Sequence, residues 1–178
     1  MWIDILLLSS LAKQPSHGYE LRRRVEEVTG HALSNNSLYP TLRRFHDAGA
    51  VTRTAQSQPG TPPRHVYAIT DVGREMLHDM LAELPEELAG ESAEFLARLG
   101  SFRLLTGPER MRVLDARDRA LTRQRDRLAG FGSGVDYWSG EVLAEVQRQL
   151  LAERDWIGTL RAVAEKPLLE EEVDDRRG

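Results

Sequence analysis

Apolar positions recur at helical spacing in seven stretches of the chain and at strand spacing in two. Trp2 to Lys13 carries Ile3, Leu6, Leu7 and Leu11 on one face, and Gln14-Pro15-Ser16 breaks it. Ser16 is then placed to cap a second helix, His17 to about Thr29, with Tyr19, Leu21, Val25 and Val28 facing inward and Gly30 as its stop. A third helix spans about Asn35 to Ala48, closed by Gly49, with Leu38, Leu42 and Phe45 toward the core. If Ser34 caps it, Pro40 lies just past the first turn and removes one backbone bond. If Ser37 caps it, Pro40 falls among donors that lack a partner anyway. The first choice is preferred. Val51 to Ala55 and His65 to Ile69 are rich in Val, Thr, Tyr and Ile and read as strands, joined by the turn-forming Gln56 to Pro63. Thr70-Asp71 caps a helix from Val72 to about Leu84, with Met76, Leu77, Met80 and Leu81 on its apolar side.

Helix, helix, helix, hairpin, helix is the order of a winged helix-turn-helix. Pro85 to Glu91 reads as a joint. Beyond it the pattern is helical throughout: Ser92 to Leu105, Pro108 to Ala129 and Ser139 to Lys166, with a glycine-rich turn at Gly130 to Gly134 and a stop at Pro167. The fold class is mainly α with a small β-hairpin wing. The expected division is a winged helix-turn-helix over 1–84, a helical dimerisation and effector domain over 92–167, and a disordered acidic tail over 168–178.

Composition narrows the class. The chain has 178 residues, 40% apolar and 29% charged, which suits a soluble globular protein. It has no cysteine, so disulfides and thiolate metal sites are excluded and a reducing cytoplasm is the simplest home. The apolar run at Ile3 to Leu8 is short and holds Asp4, so neither a signal peptide nor a spanning helix is expected. The net charge of −4 argues against nucleic acid until its distribution is read. Residues 1–83 hold nine basic and nine acidic side chains, and the whole deficit lies beyond them. From Asn36 to Arg74, five arginines face only Asp47 and Asp71. That excess permits phosphate contact without demanding it.

Catalytic patterns do not emerge. His17, His31, His46, His65 and His78 are far apart, with no pair at metal-ligand spacing on one helix. No phosphate-cradling loop or nucleophile elbow is found, and the carboxylates beside arginines read as solvated ion pairs. No catalytic residue, cofactor or metal is expected.

Three segments carry a resemblance. His17-Gly18-Tyr19-Glu20-Leu21, Ser37-Leu38-Tyr39-Pro40, and Tyr67-Ala68-Ile69-Thr70-Asp71-Val72-Gly73-Arg74 resemble, in order and separation, the signature segments of the PadR family of repressors. The likeness extends into Phe95 to Trp156, as in members with a larger C-terminal domain. The resemblance implies a cytoplasmic homodimer that represses transcription from an inverted repeat and is released by a small ligand such as a phenolic acid. The family often has proline where Asn35 stands, and a more basic, glycine-rich wing tip than Gln58 to Pro63.

A recognition helix puts its N-terminal side chains toward base edges in the major groove. Asn35, Asn36, Ser37 and Tyr39 occupy that end, followed by Pro40; Arg43 and Arg44 come later and suit phosphates. Tyr19 from the first motif, and Arg64 and His65 at the wing base, complete the expected DNA face. Each has a plainer reading: turn and cap residues for the asparagines, core for the tyrosines, a solvated face for the arginines, strand ends for Arg64 and His65.

The last helix carries two seams, Leu143, Leu150, Ile157 and Val142, Gln149, Trp156, Val163, with Val146 and Leu160 between them. Leu114, Leu121 and Leu128 repeat every seven residues on the helix before it. Such a face is broader than one partner helix needs, which points to a second subunit as well as an internal hairpin. Phe95, Phe102, Phe131, Tyr137, Trp138 and Trp156 are the aromatic candidates for an effector pocket, or simply core. A rival function is a helical adaptor that uses the winged domain to bind protein.

Overall fold

In the computed structural model, residues 1–30, 32–56, 64–130 and 134–166 are described. The expected wing tip at Gln58 to Pro63, Phe131, and the tail from Leu168 lie outside them. The chain divides into two compact units, residues 1–81 with 97–101, and residues 82–96 with those from 102 on.

In the first unit, α1 (Trp2–Lys13) buries Ile5, Leu7, Leu8 and Leu11. Ile3 and Leu6, expected on the inner face, are only half-buried. The helix is apolar on almost every side, so spacing alone could not choose its face. Ser16 does not cap α2 (Gly18–Thr29): Ser16–His17 forms a short strand, β1. His17 takes the cap position, and its backbone N–H donates to Glu20 Oε2 at 2.8 Å. Leu21 and Val25 are buried on α2, whereas Tyr19 and Val28 are exposed, contrary to their expected inward place. Val28 points along the same line as Leu21 but lies in the last turn, beyond the core. Tyr19 sits on the opposite side of the helix.

Helix α3 (Asn35–Asp47) starts as preferred: Ser34 Oγ accepts from the Ser37 N–H at 3.2 Å, and Pro40 is tolerated inside. Leu38, Leu42 and Phe45 are buried. Strands β2 (Val51–Gln56) and β3 (Arg64–Ile69) pair antiparallel, from Val51 opposite Ile69 to Gln56 opposite Arg64. Strand β1 adds to the other edge of β3, giving the order β1-β3-β2.

The corner between β3 and α4 (Asp71–Ala82) is the tightest point of this unit. The Thr70 N–H donates to Ala50 O at 3.0 Å, and its hydroxyl lies 2.7 Å from Gly49 O and 3.0 Å from Ala50 O. The same hydroxyl accepts from the Gly73 N–H at 3.1 Å. A Cβ on Gly73 would stand 2.1 Å from Ala50 O, so only glycine lets the helix approach this closely. Leu77 and Leu81 then pack inward from α4.

Helix α5 (Ser92–Leu99), of which residues 92–96 belong to the second unit and 97–99 to the first, ends six residues before its expected limit at Leu105. Gly100 follows it, and Phe102–Leu104 forms a separate 3-10 turn. Helix α6 (Gly107–Ala129) begins at Thr106, whose N–H donates to Glu109 Oε2 at 2.8 Å. Helix α7 (Tyr137–Ala164) begins two residues before the expected Ser139, because Asp136 accepts from the N–H groups of Trp138 and Ser139. Helices α6 and α7 pack antiparallel: Asp118 meets Arg154 and Asp115 meets Arg161, each at 2.7 Å. Leu114 and Leu121 are buried between them, and from α7 Leu150, Ile157 and Ala164 at seven-residue spacing.

Two arginines of the second unit are buried rather than solvated. Arg117 forms a two-pronged pair with Glu153 at 2.8 and 2.9 Å and donates to Ala89 O and Ser92 Oγ, each at 2.8 Å. Arg110 donates to Phe102 O at 2.8 Å and to the carbonyls of Ala164 and Lys166 that end α7. Buried guanidinium groups need such full partnering, and a sequence read for exposed ion pairs does not reveal them.

Candidate nucleic-acid interface

Helix α3 and the β2–β3 sheet enclose an open groove of about 760 Å³. Its lining includes Tyr39, Pro40, Arg43 and Arg44 from the expected set, together with His46, Asp47, Arg53 and Tyr67. A second groove of about 200 Å³ adjoins it and shares Tyr39 and Tyr67. It is lined further by His17, Gly18, Tyr19, Arg64 and His65. Seven of the ten expected residues therefore meet along one continuous surface, with Tyr39 at the junction. A Cβ on Gly18 would come within 3.1 Å of the Tyr39 ring, so this glycine lets the tyrosine pack close against the start of α2.

Asn35 and Asn36 stand exposed at the N-terminal turn of α3, and Ser37 is half-buried. Asn35 Oδ1 accepts from Arg22 Nη1 at 3.4 Å. Ser37 Oγ lies 3.1 Å from Ser34 Oγ. Tyr39 is 48% and Tyr19 54% exposed, so neither is a core tyrosine. Tyr19 stacks on His17 with ring centroids 5.6 Å apart.

The two arginines of α3 differ. Arg44 pairs with Asp4 of α1 at 2.7 Å and lies over the Phe45 ring. Arg43 is exposed at the groove wall. The residue that sequence reasoning missed is Arg53. On a strand exposed at every position but Val51, it looks like an ordinary solvated residue. The register decides otherwise: Arg53 is directly opposite Tyr67, so their side chains share the face that lines the groove. Burial raises the Tyr67 phenol above its ordinary pKa, against the opposing pull of the Arg53 charge.

The effector candidates form two pairs. Phe95 is buried, with the Trp156 ring edge-on at 6.1 Å; Tyr137 and Trp138 are exposed and meet edge-on at 5.1 Å. Trp138 and Trp156 are about 27 Å apart along α7. Phe102 is half-buried in its 3-10 turn. Among the described residues no group of three or more His, Asp and Glu is arranged to hold a metal ion, and no helix is long and apolar enough to cross a membrane.

This helix-and-wing surface lies within a stretch, residues 7–79, that matches the Transcriptional regulator PadR-like family. Over 79 residues the chain is 39% identical to "Probable transcriptional regulator Rv1176c" of Mycobacterium tuberculosis, covering 43% of this chain and 42% of that protein. Over 90 residues it is 29% identical to the negative transcriptional regulator PadR of Bacillus subtilis, covering 48% and 50%. The chain thus spans half or less of the length of these curated relatives. The crystal structure of Bacillus subtilis PadR in complex with operator DNA aligns over 90% of this chain and 96% of that one, at 20% identity and a TM-score of 0.42.

Proposed function

We propose that the chain is a sequence-specific DNA-binding transcriptional repressor that works as a homodimer and is released by a small aromatic ligand. The observation that carries the reading is the polar N-terminus of α3 beside a groove lined by arginine and tyrosine. Asn35 and Asn36 offer amides that suit adenine edges, and Ser37 and Tyr39 offer hydroxyls. Arg43, Arg53 and Arg64 line the two adjoining grooves with charge for the phosphates. In this reading Arg44 serves α1 through Asp4 and gives the DNA less. The division of labour follows the expected domains, with 1–84 reading DNA and 92–167 holding the second subunit and the ligand.

Dimerisation is supported by the second seam of α7. Val142 and Val163 are 65% and 52% exposed, and Trp156 is also exposed between them, at seven-residue intervals with Gln149. Water-facing apolar rows of this kind are the seams of paired helices. Two recognition helices must also reach half-sites about 34–36 Å apart, which one chain cannot do. The aromatic effector is assigned to the Phe95–Trp156 pair, with Phe102 as a further candidate.

Light scattering with a mobility shift on the chain's own upstream DNA tests the reading. A dimer that retards this duplex, and does so less as a phenolic acid is added, supports it. A monomer that retards no duplex overturns it.

A further inference from the structure

The two adjacent arginines of α3 are held differently. Leu38, Leu42 and Phe45 form the buried stripe of this helix, and the exposed Asn36, Pro40 and Asp47 lie on its far side. At about 100° per residue, Arg43 and Arg44 stand about 60° and 40° to either side of Pro40. A helix seated in the major groove meets a phosphate wall on each flank, so such a pair suits both walls. Both arginines are exposed, and both line the groove of about 760 Å³.

Arg44 is drawn to the α1 side. Its Nη2 donates to Asp4 Oδ1 at 2.7 Å, within the short range of charge-assisted hydrogen bonds. Its guanidinium carbon lies 5.5 Å from the centre of the Phe45 ring. The two partners of the pair are unequal. The Arg44 side chain is 62% exposed and long enough to turn toward a phosphate. That of Asp4 is only 18% exposed and sits in the first turn of α1, where its charge also suits the helix dipole. Asp47 lines the groove too, but it is 69% exposed and stands beside His46 Nδ1 at 3.6 Å. Asp4 is thus a fixed carboxylate that competes with phosphate for a cation of the recognition helix.

We propose that Asp4 is a positioning residue of the DNA grip: it withholds Arg44 from the phosphates and so limits the sequence-independent share of binding. The proposal rests on the DNA-binding reading above. Phosphate contacts add affinity for every duplex alike, whereas base contacts add it for the matching one. A recognition helix that gave both arginines to phosphate would hold random DNA more tightly. Removing the Asp4 charge returns Arg44 to the second wall. The plainer role, a staple between α1 and α3, predicts a less stable chain with unchanged salt dependence.

The test is fluorescence anisotropy of the full chain with two labelled duplexes, one of random sequence and one recovered from a random DNA pool, between about 50 and 200 mM salt. Asp4→Asn is expected to bind the random duplex more tightly at low salt. It should steepen the fall of log affinity with log salt by about 0.9 per subunit, the value of one phosphate contact. Over that range the extra loss is about 3–4-fold per subunit. In an Arg44→Ala background the same change should leave the slope where it was, because the cation is gone. Asp4→Ser, which also suits a helix start, carries the test if Asp4→Asn fails to fold. An unchanged slope in the folded variants, or an equal rise with and without Arg44, overturns the proposal. Asp4 is then a staple or a plain repulsive charge, and DNA binding stands. A wild type that binds neither duplex overturns the DNA-binding reading and this proposal with it.

Discussion

Gly73→Ala asks whether the wing and recognition helix are locked together at the Thr70 corner. In an open helix position the change is favourable by about 1 kcal/mol, because alanine has the best helix propensity and glycine loses more freedom on folding. At Gly73 the new methyl would sit 2.1 Å from Ala50 O and 2.7 Å from Ile69 Cγ1. The first is a backbone atom and cannot swing aside. It also accepts the Thr70 N–H and lies within reach of the Thr70 hydroxyl, so moving it loosens hydrogen bonds worth about 1 kcal/mol each. Overpacking itself costs about 1–3 kcal/mol. After the propensity gain is set against these, a net loss of about 2–4 kcal/mol remains. At about 2–4 °C per kcal/mol for a chain of this size, the melting midpoint should fall by roughly 5–15 °C. Circular dichroism melts at 222 nm measure it. Gly158→Ala is the control: nothing lies within 4 Å of its added Cβ, so the same change on α7 should leave the midpoint equal or higher. A Gly73→Ala midpoint within 2 °C of wild type would refute the close-approach argument.

Arg117→Met should destabilise the second unit by about 3–5 kcal/mol in denaturant titration, because it leaves the Glu153 carboxylate, the Ala89 carbonyl and Ser92 without their shared cation. Asp118 is expected to contribute to acid stability. Burial pushes its carboxyl up, but the hydrogen bonds and charges of Arg154 and Arg161 outweigh this and hold it below the ordinary range. The resulting stabilisation is fully present above the unfolded-state value of about 3.9 and is lost as pH falls through the lower folded value, so Asp118→Asn should flatten the stability profile below about pH 4. On the DNA face, Arg43→Ala should weaken duplex binding and reduce its salt slope by about one counterion per subunit, and Arg44→Ala, held by Asp4, should change the slope less. Fluorescence anisotropy across a salt series separates the two.

The parts legible in the sequence were those with a local chemical signal. Ser34 and Gly49 bracket α3, and the β-branched runs mark β2 and β3, so the recognition helix and the wing strands lie close to where spacing puts them. Elements whose identity depends on a distant partner were not legible. Ser16–His17 is a strand only because β3 offers an edge, and as a dipeptide it looks like a helix start. The face of α1 is chosen by what covers it, since nearly every side of the helix is apolar. Tyr19 stands two positions before Leu21, which on a helix of 3.6 residues per turn is the opposite side, so it projects to the surface. At the site, Arg53 was hidden because a strand residue gains its meaning from register. The alternation Val51, Arg53, Ala55 placed it on one face, but not which face lines the groove.

Selection of bound duplexes from a random DNA pool by the full chain tests the central claim most directly. The account predicts enrichment of an inverted repeat whose half-site centres lie about 10–10.5 base pairs, or a multiple, apart, with enrichment lost in an Asn35→Ala, Asn36→Ala, Arg43→Ala variant that melts like wild type. A pool that stays unenriched, or one enriched equally by that variant, would contradict it.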